Sequence, residues 1–243
     1  MRDTRVFENL DQLSHAAAEL FVEIGSYGIA TRGRFVVALS GGSTPGSLYK
    51  LLASEQFKNA LDWKKCFFFF GDERNVASDS PESNYRMANA TLLSALPLHE
   101  DSVREWPTYK LVPEKIAKDY ALEIENFFQG FPRFDLVLLG LGSDGHTASL
   151  FPNTNALREN DEIAVANWVP KMDDHRLTLT FPVLNNAANL IFLVSGKEKA
   201  ETVADVLEGE FRPDDLPAQF VQPVAGDLYW LLDRSAASEL RSP

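Results

Sequence analysis

The chain has 243 residues, of which 45% are hydrophobic and 24% charged, with a formal net charge of −12. That length supports a full core without staples, and the composition is that of a globular protein. The excess of Asp and Glu (35) over Lys and Arg (23) excludes a nucleic-acid partner, which needs a basic face. It also means that an anionic ligand must be held by local basic groups or helix N-termini, against the field of the whole molecule.

The first residues, Met1-Arg-Asp-Thr-Arg-Val-Phe-Glu8, are charged and lack an apolar stretch, so no signal peptide is expected. No apolar run approaches the ~20 residues of a membrane helix. Asn9 is placed to cap a helix carrying Leu10, Leu13, Ala17, Leu20, Phe21 and Ile24 at steps of three and four. Phe35-Val-Val-Ala-Leu39 follows as an apolar run without alternation, the pattern of a strand buried on both faces.

The next stretch is Ser40-Gly41-Gly42-Ser43-Thr44-Pro45-Gly46. The glycines permit close backbone approach by a ligand. Ser43 or Thr44 suits an N-cap and Pro45 a first helical position, before a helix striped by Leu48, Leu51 and Leu52. Free N–H groups at such a helix end attract phosphate or sugar oxygens, although a well-capped turn with no ligand is the plain alternative. The P-loop spacing is absent.

Cys66-Phe-Phe-Phe-Phe70 is the second strand. Cys66 is the single cysteine and its neighbours are apolar, so it reads as a core residue in a reduced, cytosolic compartment. Gly71-Asp72-Glu73-Arg74 follows. Arg74 suits a phosphate or a developing oxyanion, and Asp72 suits sugar hydroxyls; an Asp/Glu–Arg surface pair is the alternative. Ser83-Asn84-Tyr85 begins a helix, and a further stripe runs through Ile116, Tyr120, Ile124, Phe127 and Phe128.

Leu136–Leu139 is the third strand, and Gly140-Leu-Gly-Ser-Asp-Gly-His146 after it matches G-x-G-x-x-G. A dinucleotide fingerprint also requires a crossover helix and then a strand ending in an acid. Pro152 limits any helix after Gly145 to about two turns. Glu159, Asp161 and Glu162 precede the next strand-like run, Ile163-Ala-Val-Ala166, where the fingerprint wants an acid at its end. The loop therefore presents Asp144 and His146. Histidine suits proton transfer near neutral pH, and a nearby carboxylate would strengthen it as a base; a structural histidine at a helix N-terminus is the alternative. A metal set of Asp72, Asp144 and His146 lacks the usual zinc-ligand spacing, so no metal is expected.

Strands are expected over Leu177–Phe181, Leu190–Val194 and Leu228–Leu232, with a helix on Ala200, Val203, Ala204 and Leu207. Loops are expected over 77–83, 96–113, 152–162 and 210–223. The alternation predicts an α/β fold: one domain over 1–243, a doubly wound, mostly parallel, Rossmann-like sheet with helices on both faces. Its ligand loops should lie outside the carboxyl ends of the strands.

The chain resembles the 6-phosphogluconolactonase family, bacterial type. The resemblance rests on Leu39-Ser-Gly-Gly-Ser-Thr-Pro45, Gly71-Asp-Glu-Arg74, Ser83-Asn-Tyr85, Leu139 through Pro152, Arg176-Leu-Thr-Leu-Thr180 and Gly196-Lys-Glu-Lys-Ala200. Pro217-Ala-Gln-Phe-Val221 is also similar to the family. It implies a cofactor-free hydrolase acting on 6-phospho-D-glucono-1,5-lactone, with no membrane or nucleic-acid partner. His146 would be the general base, Asp144 its orienting group, and Lys199 with Arg176 the phosphate ligands. Ser40, Gly41, Gly42, Ser43, Thr44, Asp72 and Arg74 would line the substrate. The related glucosamine-6-phosphate deaminases carry H-x-A-F-N-E-P at this loop. Here Phe151 stands at the glutamate position, which argues against aldose–ketose chemistry.

Overall fold

The unbroken apolar runs become the middle of a parallel sheet. The computed structural model describes residues 2–108 and 112–241, so part of the expected 96–113 loop lies outside the described residues. In chain order the elements are β1 (Arg2–Phe7), α1 (Leu10–Arg32), β2 (Phe35–Leu39), α2 (Ser43–Leu52), β3 (Cys66–Phe70), β4 (Asp72–Arg74) and α3 (Asn84–Thr91). They continue with α4 (Pro113–Phe128), β5 (Leu136–Leu139), β6 (Ala164–Val169), β7 (Asp174–Leu179), α5 (Phe181–Asn185), β8 (Asn189–Val194), α6 (Ala200–Glu208) and β9 (Asp227–Asp233). Six strands pair in the order β1-β9-β8-β5-β2-β3, every neighbour parallel. Helices flank this sheet, and the expected α/β architecture is borne out.

β2, β3 and β5 have the bounds expected from their apolar runs. β2 and β5 are buried throughout, as strands covered on both faces must be. Asn9 caps α1 by accepting the Gln12 N–H at 3.0 Å, and α1 runs on to a left-handed Gly33. Its buried face continues through Gly25 and Gly28, where small residues let the helix sit close to Phe35 and Leu61 at Gly25 and to Arg34 and Asp135 at Gly28. Cys66 is fully buried, and burial pushes its thiol up to about 12, as fits a core residue. Behind β3, Phe69 packs edge-on against Phe127 and Phe134 at centroid distances of 5.1 and 5.5 Å.

The expected strand over 177–181 is corrected. It spans Asp174–Leu179 and belongs to a separate antiparallel sheet ordered β4-β7-β6, while Phe181 opens α5. This small sheet is tied to the large one at Gly71. The Gly71 N–H donates to the Leu39 carbonyl, and the Leu179 N–H donates to the Gly71 carbonyl, both at 2.8 Å. It therefore stands over the carboxyl ends of β2 and β3. Among the described residues no helix is long and apolar enough to cross a membrane.

Candidate active site

The carboxyl ends of β2, β3, β5 and β8 converge on a cavity of about 310 Å³. It lies where the chain leaves the adjacent strands β2 and β5 toward opposite sides of the sheet, the usual ligand crevice of such folds. Ser40, Gly41, Gly42, Ser43, Thr44, Asp72, Arg74, Asn84, His146 and Lys199 all line it.

The β2 loop folds back on its own helix. The Ser40 N–H donates to Tyr49 Oη at 3.0 Å, and that hydroxyl donates to the Ser40 carbonyl at 2.8 Å. A β-carbon on Gly41 would overlap the Asn84 side chain, so only glycine fits there. The expected cap is corrected: Gly42, at φ 104°, holds the N-cap position of α2 and no side chain caps the helix. Ser43 is the first helical residue and Pro45 the third. The first N–H groups of this ten-residue helix have no acceptor within it, and Ser43 and Thr44 face the cavity beside them.

Asp72 and Glu73 are both buried, at 8% and 2% exposure, which removes the surface-pair alternative. Asp72 accepts from Ser149 Oγ at 2.7 Å and from Asn84 Nδ2 at 3.4 Å. Burial raises its carboxyl above the usual range, against the Ser149 hydrogen bond and the charges of Arg74, His146 and Arg176. Glu73 clasps the start of α3, accepting from the N–H groups of Arg74, Asn84 and Tyr85 at 2.7–2.8 Å and from Ser83 Oγ at 3.0 Å. Burial also raises Glu73, with those bonds opposing it. The Arg74 guanidinium donates to the Glu82 carbonyl at 2.5 Å, so Arg74 meets Glu73 through its backbone N–H.

No helix follows Gly145. The stretch from Gly140 to Pro152 is a knot of turns, which corrects the expected short helix and removes the helix-N-terminal alternative for His146. The Gly142 N–H donates to the His146 carbonyl at 2.8 Å, and Thr147 Oγ1 donates to the Gly140 carbonyl at 2.9 Å. A β-carbon on Gly142 would overlap His146 Nδ1. Gly145, at φ 77°, packs against Leu216. The knot holds His146 Nδ1 2.5 Å from Asp144 Oδ1, leaving Nε2 as the ring nitrogen outside that bond. Phe151 stacks on the imidazole, with centroids 4.1 Å apart.

The second oxygen of Asp144 accepts from Lys171 Nζ, which also lies 4.8 Å from the Phe151 ring centroid. Burial works against the Asp144 charge, but hydrogen bonds from His146 and Lys171 outweigh it and hold the carboxyl well below the usual range. Lys171 escaped the sequence reading because only the β6–β7 hairpin brings it here. Arg176 does not line the cavity. It is paired in register with Arg74 and donates to Asp174 Oδ2 at 2.6 Å. Lys199 ends the short turn Lys197–Lys199 after β8 and faces the cavity. Among the described residues no three His, Cys, Asp or Glu side chains are grouped to hold a metal, so Asp72, Asp144 and His146 form no such set.

A sequence profile of glucosamine-6-phosphate isomerases/6-phosphogluconolactonase matches residues 8–230. The chain belongs to this family. A 6-phosphogluconolactonase of Synechocystis sp. is 45% identical over 218 residues, covering 88% of each chain. One of Homo sapiens is 39% identical, covering 98% of this chain and 93% of the relative. The 6-phosphogluconolactonase structure from Trypanosoma brucei superposes with a TM-score of 0.87 at 31% identity, covering 99% of both chains. The resemblance read from the motifs is borne out, as is the expectation of a lactone-hydrolase type of enzyme in this family.

Proposed function

We propose that the chain hydrolyses 6-phospho-D-glucono-1,5-lactone to 6-phospho-D-gluconate, a step of the oxidative pentose phosphate pathway, with His146 as general base. The observation that carries this reading is the Asp144–His146 pair at 2.5 Å, set on a cavity that also receives Lys199 and the α2 N-terminus. Base and anion-binding groups thus share one cavity whose volume suits a small ligand.

His146 Nε2 takes a proton from water, and the resulting hydroxide attacks C1 of the lactone. Negative charge builds on the carbonyl oxygen, where Arg74 or loop N–H groups stabilise it. As the tetrahedral intermediate collapses, the bond from C1 to the ring oxygen breaks and the imidazolium returns its proton to that oxygen. Asp144 keeps Nδ1 protonated and the ring oriented throughout. Lys199 and the N–H groups at the start of α2 hold the 6-phosphate, with Arg176 as a second cation once its pair with Asp174 opens and Asp72 on the sugar hydroxyls. One continuous apolar cluster spans both sheets, which supports reading residues 1–243 as one domain. A cytoplasmic setting fits the single, buried cysteine.

The test is the initial rate of lactone hydrolysis above the spontaneous rate, for the wild-type chain and His146→Ala. The wild type should accelerate ring opening, and the variant should lose about 10²–10⁴-fold in kcat while still binding 6-phosphogluconate. Wild-type kcat in the variant would remove the base assignment. Ammonia release from glucosamine 6-phosphate would instead favour deaminase chemistry.

A further inference from the structure

Lys171 sits on the turn Pro170–Met172 between β6 and β7, and Asp173 at φ 50° closes that turn. The hairpin is fastened to the His146 loop without it. The buried Asn167 donates to the Ser149 carbonyl at 2.9 Å and to Thr154 Oγ1 at 3.0 Å. The hairpin thus has an anchor on the His146 loop that does not depend on Lys171.

The Lys171 ammonium touches both groups that hold the imidazole. Asp144 is divided between two donors: Oδ1 takes His146 Nδ1 and Oδ2 takes Lys171 Nζ. Phe151 is likewise shared, with His146 stacked on it and Lys171 within cation–π distance of the same ring. A carboxylate alone beside a histidine favours the imidazolium, which cannot act as a base. A cation on the second carboxylate oxygen opposes that tendency while leaving the orienting hydrogen bond intact. The other charged groups around the ring are Asp72 on β4 and, lining the same cavity, Arg74 and Lys199. Arg176 on β7 stands behind Asp72. Of these cations only Lys171 meets Asp144 among the described residues.

We propose that Lys171 is a positioning residue for His146. It offsets part of the Asp144 charge and steadies the Phe151 wall, so that the imidazole is held correctly turned for proton transfer. The proposal rests on His146 being the base, and its test separates the two ideas. The ring carbons of His146 are titrated by NMR in the wild type, Lys171→Met and Lys171→Arg, and the pH profile of kcat/KM for lactone hydrolysis is recorded for each.

In Lys171→Met the His146 titration should move to higher pH by ~0.5–1 unit, the scale of one partly exposed neighbouring charge. The acid limb of kcat/KM should follow it, with KM little changed, and Lys171→Arg should restore both. A His146 titration that stays at the wild-type pH in Lys171→Met overturns the proposal. So does an equal loss of activity in the Met and Arg variants without a shift, which marks a packing role. A titration that moves while the acid limb stays put supports Lys171 acting on His146 and overturns the base reading instead.

Discussion

The Phe151 ring lies stacked on the His146 imidazole, with planes 27° from parallel and centroids 4.1 Å apart. Phe151 is 4% exposed, so one face of the imidazole is covered by buried hydrocarbon. Lactone opening asks for one group that takes and returns a proton, and an apolar wall suits that. Phe151→Leu keeps the site apolar but loses the flat contact. The variant should fold, and kcat should fall several-fold with KM within about twofold, because the ring and not the substrate loses its support. Steady-state kinetics on the lactone check this, and a change confined to KM would show that Phe151 contacts substrate.

Two glycines of one motif should behave oppositely. A methyl group on Gly142 would claim the space of His146 Nδ1, whereas nothing lies within 4 Å of the position a β-carbon would take on Gly140. Gly142→Ala should displace the imidazole and reduce kcat by about 10²-fold or more, as misplacement of a catalytic group does. Gly140→Ala should retain activity within a few-fold. Rates and melting temperatures of the two variants, measured side by side, decide the matter. Equal activities would mean that the loop relaxes around the added methyl.

The motif's glycines were legible in the sequence, but the reason for Gly142 was not. Spacing marks a turn, and only the folded loop shows the histidine lying against its backbone. The same division runs through the fold. β2, β3 and β5 were readable because strands buried on both faces leave unbroken apolar runs. β1 was not, because it is an edge strand whose Arg2, Thr4 and Arg5 face solvent. β4 is three residues long and exists through its pairing with β7, a contact no local pattern announces. In the site, residues at strand ends were legible by position. Glu73 and Lys171 were not, because Glu73 finds its partners at the start of α3 and Lys171 reaches Asp144 only through the β6–β7 hairpin.

Lys199 and Arg176 should separate as phosphate ligands. Lys199 faces the cavity, while Arg176 is engaged with Asp174 and reaches the cavity only if that pair opens. Lys199→Ala should raise KM by about tenfold or more with a smaller change in kcat, and Arg176→Ala should raise it less. Comparing the affinity of each variant for 6-phosphogluconate and for gluconate isolates the phosphate. Should Lys199→Ala bind both with the wild-type preference, the phosphate lies elsewhere.

Two aspartates of the same site should have opposite effects on stability. Burial raises the Asp72 carboxyl, so the folded chain takes up its proton more readily than the unfolded chain does. Stability from this group therefore falls as pH rises through its folded-state titration, and near neutral pH its charge opposes folding. Asp72→Asn removes that opposition and leaves an oxygen to accept from Ser149. The variant should melt a few degrees higher at neutral pH, at about 2–4 °C for each kcal/mol, and lose the advantage as the pH is lowered. Its activity should fall, because Asp72 lines the cavity. Asp144 is the reverse case: despite its burial, His146 and Lys171 hold its carboxyl below the usual range. Its contribution is present above the unfolded value of about 3.9 and is lost as pH falls through the folded-state titration. Asp144→Asn should melt below the wild type at neutral pH and converge with it in strong acid. The side chain is 31% exposed, so solvent screening keeps that gap small. Thermal melts of the three proteins across the acid range test both signs at once, and two variants shifted in the same direction would contradict them.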